Sequence, residues 1–406
     1  IPGARRTMTT VRSVLAVLAG ALVILGVFLA GVLVGGHPVS TGLIHLPDPV
    51  RSVVLGSSGQ DLTSQVLDVL RDDYYKDFDE DLVEQEGVRG LVGALEDPYT
   101  YYLDPEALDD LRQRNNGRYS GVGLGVEQAE DAIVVTRVYE DGPAAEAGIR
   151  VGERIVSVDG TSYAGDELER AVANIRGEPG TEVTIGIEST DGKVRRITLE
   201  RAEITIPVVT SRIERASGEK VGYVRLAQFT RGSGDAVRDA VTKLREQGAT
   251  ALVLDLRGDP GGLVNEAVAV TSAFVPEGSP VVTTEGRASP ETTLETDKEP
   301  VAGEIPIVVL VDRGSASSSE IVAGALRDED RAELVGTRTF GKALVQSTIE
   351  LRDGGALKLT TARYLTPDGT DLNEKGLTPD IRAIDDPETP RDEALQAALA
   401  AAVGSG

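Results

Sequence analysis

Apolar and polar positions change period along this chain, and each change marks a different kind of element. From Val14 to Val34 the sequence reads VLAVLAGALVILGVFLAGVLV, apolar all round and without a charge. As a helix these residues would extend about 31 Å, close to the hydrocarbon thickness of a bilayer. A transmembrane helix over residues 14–36 is therefore expected, with a buried soluble helix as the alternative. Arg5, Arg6 and Arg12 precede the segment and acidic residues dominate after it. The positive-inside rule then leaves residues 1–13 cytoplasmic and the rest outside. The run is longer than the apolar region of a cleaved signal peptide, so an uncleaved anchor is expected.

Residues 37–60 carry Pro, Gly and Ser and read as a linker. Over residues 61–116 the period is helical, with Leu62, Val66, Val69 and Leu70 on one face and a second helix starting at Asp104-Pro105. Over residues 117–203 the period shortens. AIVVTRVY, RIVSVDG, VTIGIES and VRRITLE read as strands around a single helix, DELERAVANIR. Over residues 204–385 apolar runs suited to a buried sheet, VGYVRLA, ALVLDLR and IPIVVLVD, alternate with amphipathic helices, which predicts a layered α/β domain. Residues 386–406 end in the Ala-rich EALQAALAAAVGSG, a short helix or a frayed tail.

Composition narrows the chemistry. Among 406 residues there is no cysteine, and both histidines, His37 and His45, precede the globular part. Thiol catalysis, cysteine–zinc clusters and a Ser-His-Asp triad are excluded there. The net charge of −25 opposes nucleic-acid binding.

Three Gly- and Ser-rich segments follow strand-like runs: DLRGDPGG (255–262), DRGSASSSEI (312–321) and TFGKALVQ (339–346). Sites in open α/β sheets lie at strand ends of this kind. The first two lack the Gly-Lys-Ser/Thr of a nucleotide-binding loop. GVGLGV (121–126) precedes strand-like sequence and is no dinucleotide fingerprint. Ser317, with Glu320 three residues on, fits a capping box for the helix that follows. The same position suits a nucleophile, because free N–H groups at a helix start stabilise an oxyanion. Without histidine the base must be another group, and a lysine serves if burial makes its neutral amine available. Among eight lysines, Lys342 alone sits in a long uncharged stretch, between Arg338 and Glu350. A lysine at a hairpin rim is the alternative reading.

Taken in order, DPYTYYLDPE, GVGLGV, GPAAEAGIRVGERIVSVDG, IRGEPGT, DLRGDPGG, SASSSEIVAGAL, VGTRTFGKALVQ, LKLTTARYLTPDG and GLTPD resemble the carboxyl-terminal processing proteases, tail-specific serine peptidases. The resemblance implies an α/β crotonase/ClpP-like protease core with an inserted β-rich PDZ domain over 117–203, behind the N-terminal helical region and transmembrane helix. It makes Ser317 the nucleophile, Lys342 the general base and Gln346 the residue that orients the lysine. The backbone N–H groups of Gly262 and Ser318 would form the oxyanion hole. Gly121, Val122 and Gly123 would capture a substrate's C-terminal carboxylate. Arg176 would couple the PDZ domain to the protease.

Three residues depart from the family pattern. Ser318 stands for an alanine, and Asp259 for an asparagine. Ala343 stands for a glycine, which is unfavourable if the backbone there has positive φ. The expected protein is a single-pass enzyme of the cell membrane whose catalytic region is extracytoplasmic. It acts on proteins or peptides with accessible C-termini, without cofactor, metal or nucleic acid. A homo-oligomer or an adaptor protein remains open as a further partner. Two rivals stand beside this reading: an inactive PDZ adaptor that only binds tails, and a hydrolase using paired carboxylates.

Overall fold

The computed structural model describes residues 61–129, 132–163, 167–288, 290–386, 389 and 391–404. Residues 1–13, 14–36 and 37–60, expected to form the cytoplasmic end, the membrane helix and the linker, lie outside these. No helix among the described residues is long and apolar enough to cross a membrane.

The chain divides after Gly87 into two units. Helix α1 (Asp61–Asp73) belongs to the first. Its expected apolar face differs from the one observed: Leu62, Val66 and Val69 are exposed and Leu70 is half-buried, while the buried leucine is Leu67. Helix α2 (Glu80–Gly93) is followed by strand β1 (Tyr101–Leu103) and helix α3 (Pro105–Asn115). As the sequence suggests, Asp104 caps α3, its Oδ1 accepting from Ala107 N at 2.9 Å, with Pro105 at the first helical position.

The next module runs through β2 (Arg118–Gly121), β3 (Leu124–Ala129), β4 (Ala132–Val138), the one-turn helix α4 (Pro143–Glu146), β5 (Arg154–Val158) and β6 (Thr161–Ser162). It continues through helix α5 (Leu168–Ile175), β7 (Glu182–Glu188), β8 (Val194–Glu200) and β9 (Ala202–Thr205). Strands β3-β4-β5-β7-β8 pair in that order, with β6 on β5. Alternate side chains, including Ile133, Val135, Ile185 and Ile187, pack with Ala171 and Ile175 of α5 into a separate core. The antiparallel pair β2–β9 joins the module's two ends, Gly121 facing Ala202. The segment expected to be β-rich with one long helix is therefore closed on itself.

The remaining elements are β10 (Val209–Ala216), β11 (Glu219–Leu226), helix α6 (Ser233–Glu246), β12 (Ala251–Asp255), helix α7 (Val264–Thr271), β13 (Pro280–Gly286) and β14 (Thr292–Glu295). After them come β15 (Ile307–Val311), helix α8 (Ser318–Asp328), β16 (Glu333–Gly336), β17 (Leu344–Glu350), β18 (Ala356–Leu365), β19 (Ile381–Arg382) and helix α9 (Glu393–Gly404). A six-stranded sheet runs β10-β11-β12-β15-β16-β19, parallel except for β10. A second, antiparallel sheet centres on β18, which pairs with β1, β13 and β17.

The near-continuous apolar runs are explained by burial on both faces. Leu252, Leu254, Ile307 and Val309 share a cluster with residues of α6, α7 and α8. Their neighbours Ala251, Val253, Val308 and Leu310 point the other way, into a cluster with Ala394, Leu395, Ala398 and Leu399 of α9. The Ala-rich end is thus a helix that completes the core, not a frayed tail. Its small side chains let it lie flat on the sheet.

A buried charge pair ties α9 to the sheet. Asp255 is fully buried and bonds Arg257 at 2.7 Å and the Tyr223 hydroxyl at 2.7 Å. Arg257 also holds both carboxylate oxygens of Asp392 at 2.8 Å, and Asp392 in turn caps α9 through Leu395 N. Removing one partner strands a buried charge. Arg257→Ala is therefore expected to lower stability by about 3–5 kcal/mol. Urea denaturation tests this, with earlier proteolysis of residues after 386 as the accompanying sign.

Candidate active site

Three neighbouring parallel strands, β12, β15 and β16, release the three Gly- and Ser-rich segments at their C-terminal ends. Side-chain carboxylates then knit the segments together. Asp312 Oδ1 accepts from the N–H groups of Gly258 at 2.9 Å, Gly314 at 2.8 Å and Ser315 at 3.1 Å. Ser315 Oγ donates to the Leu256 carbonyl at 2.8 Å.

Ser317 sits at the N-cap of α8 with φ 55° and ψ −114°. Positive φ is costly for a side chain other than glycine, and such backbone gathers at functional turns. The helix behind it, from Ser318 to Leu326, is entirely buried, so the turn has a rigid base. Two glycines make room in front. A Cβ on Gly261 would lie 2.9 Å from Ser317 Cβ and 2.8 Å from Ser318 N. One on Gly262 would lie 2.1 Å from the Phe229 carbonyl oxygen. The close approach brings the Gly261–Gly262 turn against the start of α8. Among the described residues the N–H groups of Gly262 and Ser318 donate no hydrogen bond within the chain. Ser318 Oγ donates to the Gly262 carbonyl at 3.2 Å, so the hydroxyl that departs from the family pattern braces the same turn.

The sequence reading gave Glu320 only a capping role. The structure gives it more. Its fully buried carboxylate accepts from Ser317 N at 3.0 Å and, on the same oxygen, from Lys342 N at 2.9 Å. Its other oxygen accepts from Gly341 N at 2.8 Å and Thr339 Oγ1 at 2.6 Å. From the opposite side the buried Tyr364 hydroxyl approaches the carbonyl of Lys342 at 2.5 Å and that of Ser317 at 3.1 Å. One carboxylate and one phenol therefore hold the backbones of the two candidate catalytic residues together.

Ser317, Lys342 and Gln346 all line one cleft of about 380 Å³, with Gly261, Gly262 and Lys358. In this conformation no hydrogen bond joins Lys342 Nζ to Ser317 Oγ or to Gln346. Gln346 lies on β17 where its register against β18 shifts, and its buried Nε2 has no partner. Lys342 is half-buried. That burial, and then the positive charge of Lys358, push its ammonium below the usual lysine range, while Asp97 pulls the other way. The Lys342 Nζ lies 4.5 Å from the centre of the Tyr99 ring. Burial opposes ionisation of Asp97, but Thr100 Oγ1 at 2.6 Å and Tyr99 N at 3.0 Å keep its carboxyl below the ordinary range. Pairing of β1 with β18 carries this DPYT turn to the lysine. Sequence reasoning missed Tyr99, Asp97, Lys358 and Tyr364. The only signal for them was membership in the two motifs DPYTYYLDPE and LKLTTARYLTPDG.

Ala343 is fully buried in the main core and its φ is not positive. The methyl that departs from the family pattern is therefore unstrained. Gly341, just before the lysine, is the residue with the special conformation, at φ +91°, where a Cβ would meet Gly376 N at 2.8 Å.

In the β-rich module, Gly121, Val122 and Gly123 line a cavity of about 150 Å³ with Leu124, Val126, Val172 and Ile175. Its walls come from β3 and α5. Strand β3 is an edge strand, so one side of it is open to pairing. The N–H groups of Val122 and Gly123 donate no hydrogen bond within the chain among the described residues. Gly123 has φ +80°, and a Cβ there would press on Gly142. Arg176 follows α5, 5.9 Å from the Tyr119 ring centre, and lines both this cavity and a wider cleft of about 800 Å³ beside α3. Arg114 lines that wider cleft and the one holding Ser317 and Lys342.

Residues 220–383 match the model of peptidase family S41, and residues 134–189 match that of the PDZ domain. The fold and site thus define an S41-type peptidase scaffold carrying a PDZ domain. The chain is 33% identical over 333 residues to the carboxy-terminal processing protease CtpA of Bacillus subtilis, covering 82% of this chain and 71% of that protein. It belongs to the carboxy-terminal processing protease family. It is also 36% identical over 328 residues to a probable CtpA-like serine protease of Staphylococcus aureus strain COL, covering 80% of this chain. The match spans 64% of that relative's length, just under two thirds. Among solved structures, the photosystem II D1 C-terminal processing protease matches with a TM-score of 0.51 and 32% identity, over 87% of this chain and 90% of that one.

The geometry around Lys342 predicts a pH effect. Removing the charge at Lys358 takes away a like charge, so the Lys342 ammonium holds its proton to higher pH. Lys358→Met is expected to move the rising limb of the activity–pH profile to higher pH, whereas Lys358→Arg leaves it in place. A profile of kcat/KM against pH for the three proteins measures this.

Proposed function

We propose that this protein is a serine endopeptidase that recognises protein C-termini through its PDZ domain and cleaves near them with a Ser317–Lys342 dyad. The observation that carries the reading is the double clamp by Glu320 and Tyr364, which fixes the backbones of Ser317 and Lys342, two residues that line one cleft with Gly262. A buried clamp between those two segments has no evident purpose in a protein that only binds tails. The core is read as crotonase/ClpP-like, and residues 14–36 as the anchor that keeps the catalytic region extracytoplasmic.

In this mechanism a substrate tail adds to the edge of β3, its terminal carboxylate meeting the N–H groups of the Gly121–Gly123 loop. Arg176 and Arg114, shared between successive clefts, mark the path from that loop to Ser317. Neutral Lys342 takes the Ser317 proton as Oγ bonds to the scissile carbonyl carbon. The resulting oxyanion is held by Gly262 and Ser318 N–H. Lys342 returns the proton to the leaving amine as the C–N bond breaks. It then takes a proton from water, which attacks the acyl-enzyme and releases Ser317. Gln346, with its amide unpartnered, orients the lysine once substrate draws Lys342 toward Ser317.

The missing Lys342–Ser317 hydrogen bond favours one second reading, a tail-binding adaptor without turnover. Cleavage of a peptide with an apolar free C-terminus by the detergent-solubilised full chain separates the two. Ser317→Ala and Lys342→Ala are each expected to lower kcat by about 10³-fold or more. Amidation of the peptide's C-terminus is expected to raise KM. Tail binding without cleavage by the unsubstituted chain would establish the adaptor instead, and equal turnover by Ser317→Ala would remove the dyad.

A further inference from the structure

Asp259 lies in the Gly-rich segment that supplies Gly262, and its side chain is fully buried. Only one of its carboxyl oxygens is used: Oδ1 accepts from Gly261 N at 2.8 Å, while the buried Oδ2 has no hydrogen-bond partner. The rest of the residue is fixed from α8 and the turn before it. Its carbonyl accepts from Ala316 N at 3.1 Å and Ser319 Oγ at 2.9 Å. Gly261, the residue held by Oδ1, is also the one at which a Cβ would lie 2.9 Å from Ser317 Cβ and 2.8 Å from Ser318 N. Asp259 is therefore tied, through the Gly261 N–H, to the turn that would supply the Gly262 N–H.

A buried carboxylate with one donor and one bare oxygen is poorly solvated, whereas the neutral acid is cheaper to enclose. The charged groups around it do little to change that. Arg225 on β11 lowers its proton affinity only in part. On the loop after β15, the Asp312 carboxylate is committed to Gly258, Gly314 and Ser315. The Gly261 N–H and the Ser319 hydroxyl on α8, whose bond goes to the Asp259 carbonyl, also favour the ionised form, and burial outweighs them. Burial pushes the Asp259 carboxyl up to about 7.

We propose that Asp259 is a positioning residue that holds the oxyanion turn in its neutral form, and that loss of its proton slows acyl transfer by placing a negative charge behind the forming oxyanion. The proposal rests on the dyad reading above, and it deepens that reading by adding a second, opposing titration. As pH rises, Lys342 becomes a competent base while Asp259 becomes a brake. The neutral acid accepts from Gly261 N–H as the carboxylate does, but it adds no charge against the developing one.

The test compares kcat/KM of the full chain and its Asp259→Asn variant across pH. Asparagine keeps an oxygen for Gly261 N–H and cannot ionise. The ratio of variant to unsubstituted protein is expected to rise by about tenfold between pH of about 5.5 and 8.5, because only the unsubstituted protein acquires the charge. A ratio that is flat or falls with pH overturns the proposal. A second measurement is independent of turnover and of the variant's folding. Infrared difference spectra of Ser317→Ala, which keeps Asp259, are expected to show a protonated carboxyl at about pH 5.5 that is lost by about pH 8.5. Absence of that carboxyl overturns the proposal. If the protein cleaves nothing but the carboxyl titrates, the dyad reading fails and the neutral buried acid stands.

Discussion

The shared Glu320 oxygen, accepting from both Ser317 N and Lys342 N, is the contact on which the rest of the site depends. The two residues reach it from the segments that follow different strands, β15 and β16. Neither loop has a regular backbone ladder to fix it. A carboxylate can accept several N–H bonds at once, and burial makes each charge-assisted bond stronger. Tyr364 then restrains the carbonyl side of the same two residues. With the backbones so held, the freedom left to the site lies in the side chains of Ser317, Lys342 and Gln346, which line one cleft without bonding to one another in this conformation.

That constraint explains the glycines and the strain around it. Ser317 keeps a positive φ because α8 is buried behind it and Gly261 presses in front. The packing leaves no room to relax, which is how such backbone persists. The same packing forces the side chain of Asp259 into the interior. In this sense the Gly261–Gly262 turn, Ser317 and Lys342 are one packed object, built from three strand ends and sealed by β18.

Much of this was legible in the sequence. The period change at Gly117 located the PDZ module, and the apolar runs at 251–257 and 305–312 located the parallel strands with their loops. The lack of histidine beyond His45 made lysine a candidate base, and the unusually uncharged setting of Lys342 singled that one out. Asp104-Pro105 named its own helix start. What could not be read was what long-range pairing brings together. Tyr99 and Asp97 meet Lys342 only because β1 pairs with β18, more than 250 residues away. Glu320 could be read as a helix cap from its spacing, but its second bond, to Lys342 N, depends on the neighbouring strand. The Ala-rich end was ambiguous because small residues suit both a frayed tail and a helix lying flat on a sheet. Only the apolar second face of that sheet resolves the choice.

In the proposed reaction Ser317 carries the acyl group and Lys342 puts it there. Mass spectrometry of the full chain, quenched during turnover of an activated ester of a short apolar peptide, reads this out. The expected result is an acyl adduct on the peptide containing Ser317, absent from Ser317→Ala and formed far more slowly in Lys342→Ala. An adduct on another residue, or one that forms on Ser317 equally fast without Lys342, would contradict it.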